Sequence, residues 1–250
     1  MIKFFRHIRQ SLIMKNQTGK YFKYAIGEIV LVVIGILIAL QINNWNTERQ
    51  NSETNTKLLE KLKIELQLNI TRLNYLNRTN GGYVHKMKSN DSVLAILSEG
   101  AKPENLELLV NRPYVSNTLN LYSSTYEEMK NTGRLYRLGS DSLLNAIETY
   151  YRLCERESHY VTMMNAEVRS QIIPDINKGQ FKARQDLMII GRAFAIKDNP
   201  WLFNKSSEEY NALRRQIGFA NSYLENVKDR INRLIEASEE LKIKIEDALQ

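Results

Sequence analysis

Glu155 and His159 stand four residues apart in "ERESH", the spacing that puts two metal-ligating side chains on one helical face. A di-iron bundle needs E-x-x-H at i, i+3 with further carboxylates, and position 156 is Arg. A surface ion pair is therefore the better reading. The other histidines, His7 and His85, have no such neighbours, and His7 belongs to a basic tail. The single cysteine, Cys154, sits in "YYRLCERE" without a fixed base and reads as a small buried residue. It also excludes an internal disulfide. Tyr150, Tyr151 and Tyr160 suit a core or a bundle loop better than a ligand cage. Glu127 and Glu128 are adjacent in "TYEEMKNTGRL", and adjacent helical residues point apart, so capping explains them better than an acid pair. There is no G-x-S-x-G, H-E-x-x-H, P-loop or dinucleotide fingerprint. The expectation is no catalytic residue, no metal and no cofactor.

One segment dominates the chain: "YAIGEIVLVVIGILIALQINNWN", residues 24–46. From Ala25 to Ile42, 12 of 18 residues are Ile, Leu or Val. As a helix these 18 cover about 27 Å, close to hydrocarbon thickness. The aliphatics favour insertion by about 4 to 7 kcal/mol. Glu28 opposes this with a penalty of about 3 kcal/mol at the midplane, less near the interface. A core helix would carry a polar face, and Ile29 to Leu40 has none. No small-residue cleavage site follows, so an uncleaved span is expected. Lys3, Arg6, Arg9, Lys15, Lys20 and Lys23 precede it without any acid, which puts the N-terminus in the cytoplasm. Trp45 suits the outer interface, and Tyr21, Phe22 and Tyr24 the inner one. Ile2, Phe5, Ile8 and Leu12 fall at helical spacing, which favours a helix lying on the inner leaflet over a disordered basic tail.

Glu28, Gly35 and Ala39 share one side of the span at i, i+7, i+11. Gly35 and Ala39 form a small-xxx-small pair that permits close helix approach. The face is a candidate for self-association or for a partner span. Alternatively, Glu28 sits near the helix start and pairs with Lys20 or Lys23 as they snorkel. The net charge of +7 is not a nucleic-acid signal, because residues 1–27 hold +6 and the rest only +1.

Beyond the span, Pro is rare and strand alternation is scarce, so the expected class is all-α. The expected organisation is a basic amphipathic tail (1–19), a transmembrane helix (20–44), a polar linker or helical stalk (45–57) and an extracytoplasmic helical domain (58–250). Leu59, Leu62, Leu66, Leu73 and Leu76, with Asn69 in register, form a first outer helix that "NGG" at 80–82 ends. Helices are expected over 83–98, around Pro103–Val110, and from a Thr125/Glu128 capping box, or a few residues earlier, to Gly133. Another starts with Ser140 or Asp141 as cap and runs toward Pro174, and Pro200 and Trp201 mark a loop. The last helix, over about 206–249, carries a heptad seam: Leu213, Ile217, Ala220, Leu224, Val227, Ile231, Leu234, Ser238, Leu241, Ile245 and Ala248. Its expected partner is the first outer helix, packed antiparallel in a bundle. A parallel coiled coil between protomers would bring Arg214, Lys228, Arg230, Lys242 and Lys244 against their copies.

The string at 24–46, the start "MIKFFRHIRQ" and the internal "STYEEMKNTGRLYRL…LLNAIETYY" resemble a single-span membrane protein family of Bacteroidota whose domain has no known function. The resemblance implies a bacterial inner-membrane protein with an outward helical domain. It transfers no activity. The family's near-fixed glutamate and glycines correspond to Glu28, Gly27 and Gly35.

Function is expected to be interaction or scaffolding, with lipid and a protein partner or self-association, and no nucleic acid. The alternative is a ligand-sensing input domain acting through a partner membrane protein. Glu28→Leu should insert normally but change association; unchanged association in a membrane two-hybrid assay would discard the packing role of that face.

Overall fold

In a computed structural model of the chain, residues 18–111, 117–176 and 179–250 are described. The expected N-terminal interfacial helix lies outside them. All regular structure among the described residues is helical. The helices are α1 (Thr18–Asn77), α2 (Tyr83–Glu99), α3 (Leu106–Val110), α4 (Ser124–Asn131), α5 (Asp141–Ile176), α6 (Gln180–Gln185), α7 (Arg192–Asp198) and α8 (Glu208–Ala248). A π turn, Asp186–Ile190, joins α6 to α7.

The chain divides into two units, residues 1–57 and 58–250. In the first, the apolar stretch is α-helical and wholly uncovered, with a mean hydropathy of 2.6 over its most apolar window. It is the one helix among the described residues long and apolar enough to cross a membrane. Residues 45–57 are also helical.

In the second unit, the leucine stripe of α1 is buried: Leu59, Leu62, Leu66, Leu73 and Leu76 line the core, together with Asn69. All eight apolar seam residues of α8 from Leu213 to Ile245 are buried as well, and Ala220 and Ser238 with them. Ala248 is exposed, so the seam closes one step earlier than its periodicity suggests.

The seam has three partners rather than one. Lys63 meets Glu246 at 3.6 Å, Lys242 donates to Gln67 at 2.9 Å and Asn77 to Asn232 at 2.8 Å, which is a constant antiparallel register between α1 and the C-terminal half of α8. The N-terminal half is opposed by α2, where Asn221 donates to Asp91 at 2.7 Å and Tyr210 to the Leu97 carbonyl at 2.8 Å. α5 runs antiparallel beside both, with Tyr223 donating to Asn165 at 2.8 Å and Tyr150 meeting Ser238 at 3.0 Å. With its seam buried this way, α8 has no free apolar stripe for a coiled coil between protomers.

The reason lies in "NGG". Gly81 takes φ +78°, and a Cβ on Gly82 would fall 2.6 Å from the Leu76 carbonyl. The two glycines let the chain break tightly and restart in the sense of α1, so α1 and α2 succeed one another along α8. Two cores result. The larger lies among α1, α4, α5 and the C-terminal half of α8. The smaller joins α2, α3, α6 and α7 to the N-terminal half, around Leu97, Leu106, Leu109 and Tyr210.

Because both cores are complete without residues 1–57, a 58–250 fragment should fold alone. Helical circular dichroism and one cooperative melt are expected; a fragment that stays unfolded would show that the preceding helix is needed.

Candidate functional site

Three side chains of α1, Glu65, Asn69 and Arg72, stand at i, i+4, i+7 and form a polar strip beside the leucine stripe. Each is spent on the irregular segment before α4 or on the first turn of α4 itself. Arg72 donates to the carbonyls of Leu119 at 3.1 Å and Thr118 at 3.2 Å. Asn69 accepts from the Tyr122 N–H at 2.7 Å and donates to the Tyr122 carbonyl at 2.9 Å. Glu65 accepts from the Thr125 N–H at 2.6 Å and the Ser124 hydroxyl at 3.1 Å. Backbone groups that no helix or strand satisfies are thus paired from outside.

This corrects the cap expected for α4. Thr125 is buried inside the helix, and no side chain of its own N-cap residue, Ser123, bonds the first turn. Glu65 supplies the cap across the bundle, where a carboxylate favours the positive end of the helix dipole. Glu128 turns away to Lys61, at 3.3 Å, while Glu127 lines a cleft. Ser140 does cap α5, accepting from the Leu143 N–H at 3.3 Å.

The cleft lies between α4 and α5 and holds about 530 Å³. Its floor is the stacked pair Tyr126 and Tyr151, with centroids 4.1 Å apart and planes 6° apart. Its rim mixes Glu127, Glu148 and Glu155 with Lys130 and Arg152. Burial, then the hydrogen bond to Glu65, pushes the Tyr151 hydroxyl well above the usual phenol range, so it stays protonated and donates to Glu65. Tyr150 is also pushed up, chiefly by burial. Its hydroxyl accepts from Asn69 at 3.3 Å. The Ser238 hydroxyl lies 3.0 Å from it and also donates to the Leu234 carbonyl at 2.6 Å. Burial pushes Cys154 up to about 12, against the opposing hydrogen bond from Tyr150, so it remains a thiol. An apolar floor with a mixed-charge rim can hold a small amphipathic molecule; a protonated thiol and scattered rim carboxylates offer no activated nucleophile.

A second polar contact leaves no mark in the residue pattern. Glu157 is fully buried on α5 and paired with Arg230 of α8, whose guanidinium lies 3.4 Å over the Tyr160 ring. Arg156 adds a bond at 2.8 Å. Burial pushes the Glu157 carboxyl up, but the bonds and charges of Arg230 and Arg156 outweigh it and hold it below the usual range. Arg230, read from sequence as one of several flanking cations, faces inward.

Glu155 and His159 are both exposed on α5. Among the described residues, no three of His, Cys, Asp and Glu converge as metal ligands. Gly35 and Ala39 are exposed on the apolar helix, where a Cβ on Gly35 would meet nothing within 4 Å; Glu28 is half-buried. Residues 28–188 match a family of unknown function (DUF6090). No curated protein and no solved structure matches the chain.

Glu65→Ala should destabilise the domain by about 3 kcal/mol, from the lost cap and the stranded Tyr151 hydroxyl, and Glu65→Gln by about 1. Chemical unfolding of the 58–250 fragment measures both. A carboxyl held low in the fold stabilises above its ordinary value of about 4.3 and loses that contribution as pH falls through the lower folded value. The melting-temperature advantage of wild type over Glu157→Gln should therefore hold at pH 7 and shrink in acid as pH falls through that lower value.

Proposed function

The chain belongs to this family of unknown function, and from that premise we propose that it is a membrane-anchored interaction or scaffolding module rather than an enzyme. The observation that carries the reading is the uncovered apolar helix, whose exposed aliphatic surface from Ala25 to Ile42 suits lipid and little else. The family match begins at Glu28, inside this helix, which supports its being part of the working protein. The six cations before Glu28 support a cytoplasmic N-terminus, with the 58–250 unit in the periplasm of a bacterial inner-membrane protein. Gly35 and Ala39 give the span a flat side for a second span, its own copy or another's.

A second reading is favoured by the α4–α5 cleft. There the unit is an input domain that binds a small ligand and passes the change on through a partner membrane protein. The cleft wall hangs on three α1 side chains, so a ligand that shifts α4 would pull on α1.

A reporter enzyme fused after Gln250 should be active only outside the cytoplasm, and in-cell crosslinking from the outer unit should trap a defined protein partner. Cytosolic reporter activity would overturn the topology. A ligand-dependent thermal shift without any crosslinked partner would favour the second reading.

A further inference from the structure

The two most exposed large apolar side chains among the described residues lie outside the membrane-length segment. Ile189 is 78% exposed and Met188 70%, against at most 63% for any residue of that segment, and Ile190 follows at 58%. All three stand on the π turn at the end of the outer unit formed by α2 and the N-terminal half of α8. π turns are rare and gather at functional positions.

The turn is held in place from beneath. Asp186 is buried at its base, where it accepts from Lys182 at 2.7 Å and from Asn199 at 2.9 Å. Asn199, also buried, donates to the Ala195 carbonyl at 2.9 Å. Gly191, at φ +118°, closes the turn with an N–H bond to the Asp186 carbonyl at 2.9 Å. Ala183 and Ala195 let α6 and α7 seat closely on the second core. The three apolar side chains are thus presented on a fixed base.

Their direction points to the kind of partner. Successive residues of a π turn diverge by about 80°, so Met188, Ile189 and Ile190 fan over nearly half a turn. A protein groove reads one helical face, through anchors at i, i+3 and i+4. A fluid hydrocarbon layer can surround all three. Phe181 and Phe194 flank the turn, each partly exposed. Residues 179–198 carry four cations and two acids. Both acids are engaged by Lys182 and Arg192 is paired with Glu107, so the exposed Arg184 and Lys197 leave the collar a small positive excess. An apolar knob in an aromatic and cationic collar is the composition of a segment seated at the headgroup boundary of an anionic bilayer.

We infer that the Met188–Ile190 turn is a lipid-docking knob, a second membrane contact that inserts into an anionic phospholipid surface. This rests on the reading of the chain as a membrane-anchored interaction module and names lipid as the partner at this end.

The test uses the full chain in phosphatidylcholine nanodiscs, mixed with vesicles of phosphatidylcholine alone or with 30% phosphatidylglycerol, and read by flotation. Half-maximal capture should need at least tenfold less lipid with the anionic vesicles. Met188→Ser/Ile189→Ser/Ile190→Ser should weaken capture at least tenfold with the melting temperature unchanged, and Arg184→Glu/Lys197→Glu should remove the preference for anionic lipid. Equal capture by wild type and the triple-serine variant overturns the inference. So does a photo-crosslinker at position 189 that traps protein, this chain's own copy included, instead of lipid; that result leaves the interaction reading standing. Failure of the interaction reading would show separately, as a ligand-dependent thermal shift without any protein trapped by in-cell crosslinking.

Discussion

The domain depends on one polar strip. Glu65, Asn69 and Arg72 bind backbone groups of the irregular residues 118–122 and of the first turn of α4. Without them, several peptide groups beside the larger core would lose their partners, at a cost of about 1 to 3 kcal/mol each. With them, α4 is capped, Tyr126 is laid on Tyr151, and the cleft has a wall. A single helical face thus performs the work that a sheet neighbour does elsewhere, and it also fixes where α4 meets α5.

The second constraint is the length of α8. A 41-residue amphipathic helix has more apolar face than one short partner can cover. The fold answers by breaking the opposing strand of helix at Gly81 and Gly82 and placing α1 and α2 end to end along it. Polar pins set the register. The chain from Asn69 through Tyr150 and Ser238 joins α1, α5 and α8 inside the larger core, and Glu157 with Arg230 repeats the device farther along α5. Each pin leaves a buried polar group unsatisfied if the helices slide, so the pins penalise wrong registers more than they add stability.

The groups that draw attention in the sequence are either spread over the surface, as Glu155 and His159 are, or buried in forms that burial favours, as the Cys154 thiol and the Tyr150 and Tyr151 phenols are. Exposed large apolar side chains crowd the lipid-length helix, and the two most exposed among the described residues stand on the Met188–Ile190 turn.

Periodicity alone determined the helical class, the apolar segment, the leucine stripe of α1 and the seam of α8, because a 3.6-residue repeat is a local property that burial then respects. Capping chemistry likewise gave Ser140 and the Gly81–Gly82 break from neighbours a few residues away. Tertiary structure alone decided that α8 has three partners, that Glu65 caps a helix 60 residues later, that Arg230 turns inward to Glu157, and that a π turn lifts Met188, Ile189 and Ile190 off the surface. The physical reason is range. A hydrogen bond or an ion pair between residues 60 to 160 positions apart leaves no repeat in the sequence, and a buried carboxylate looks the same on paper as a solvated one until the groups around it are in place.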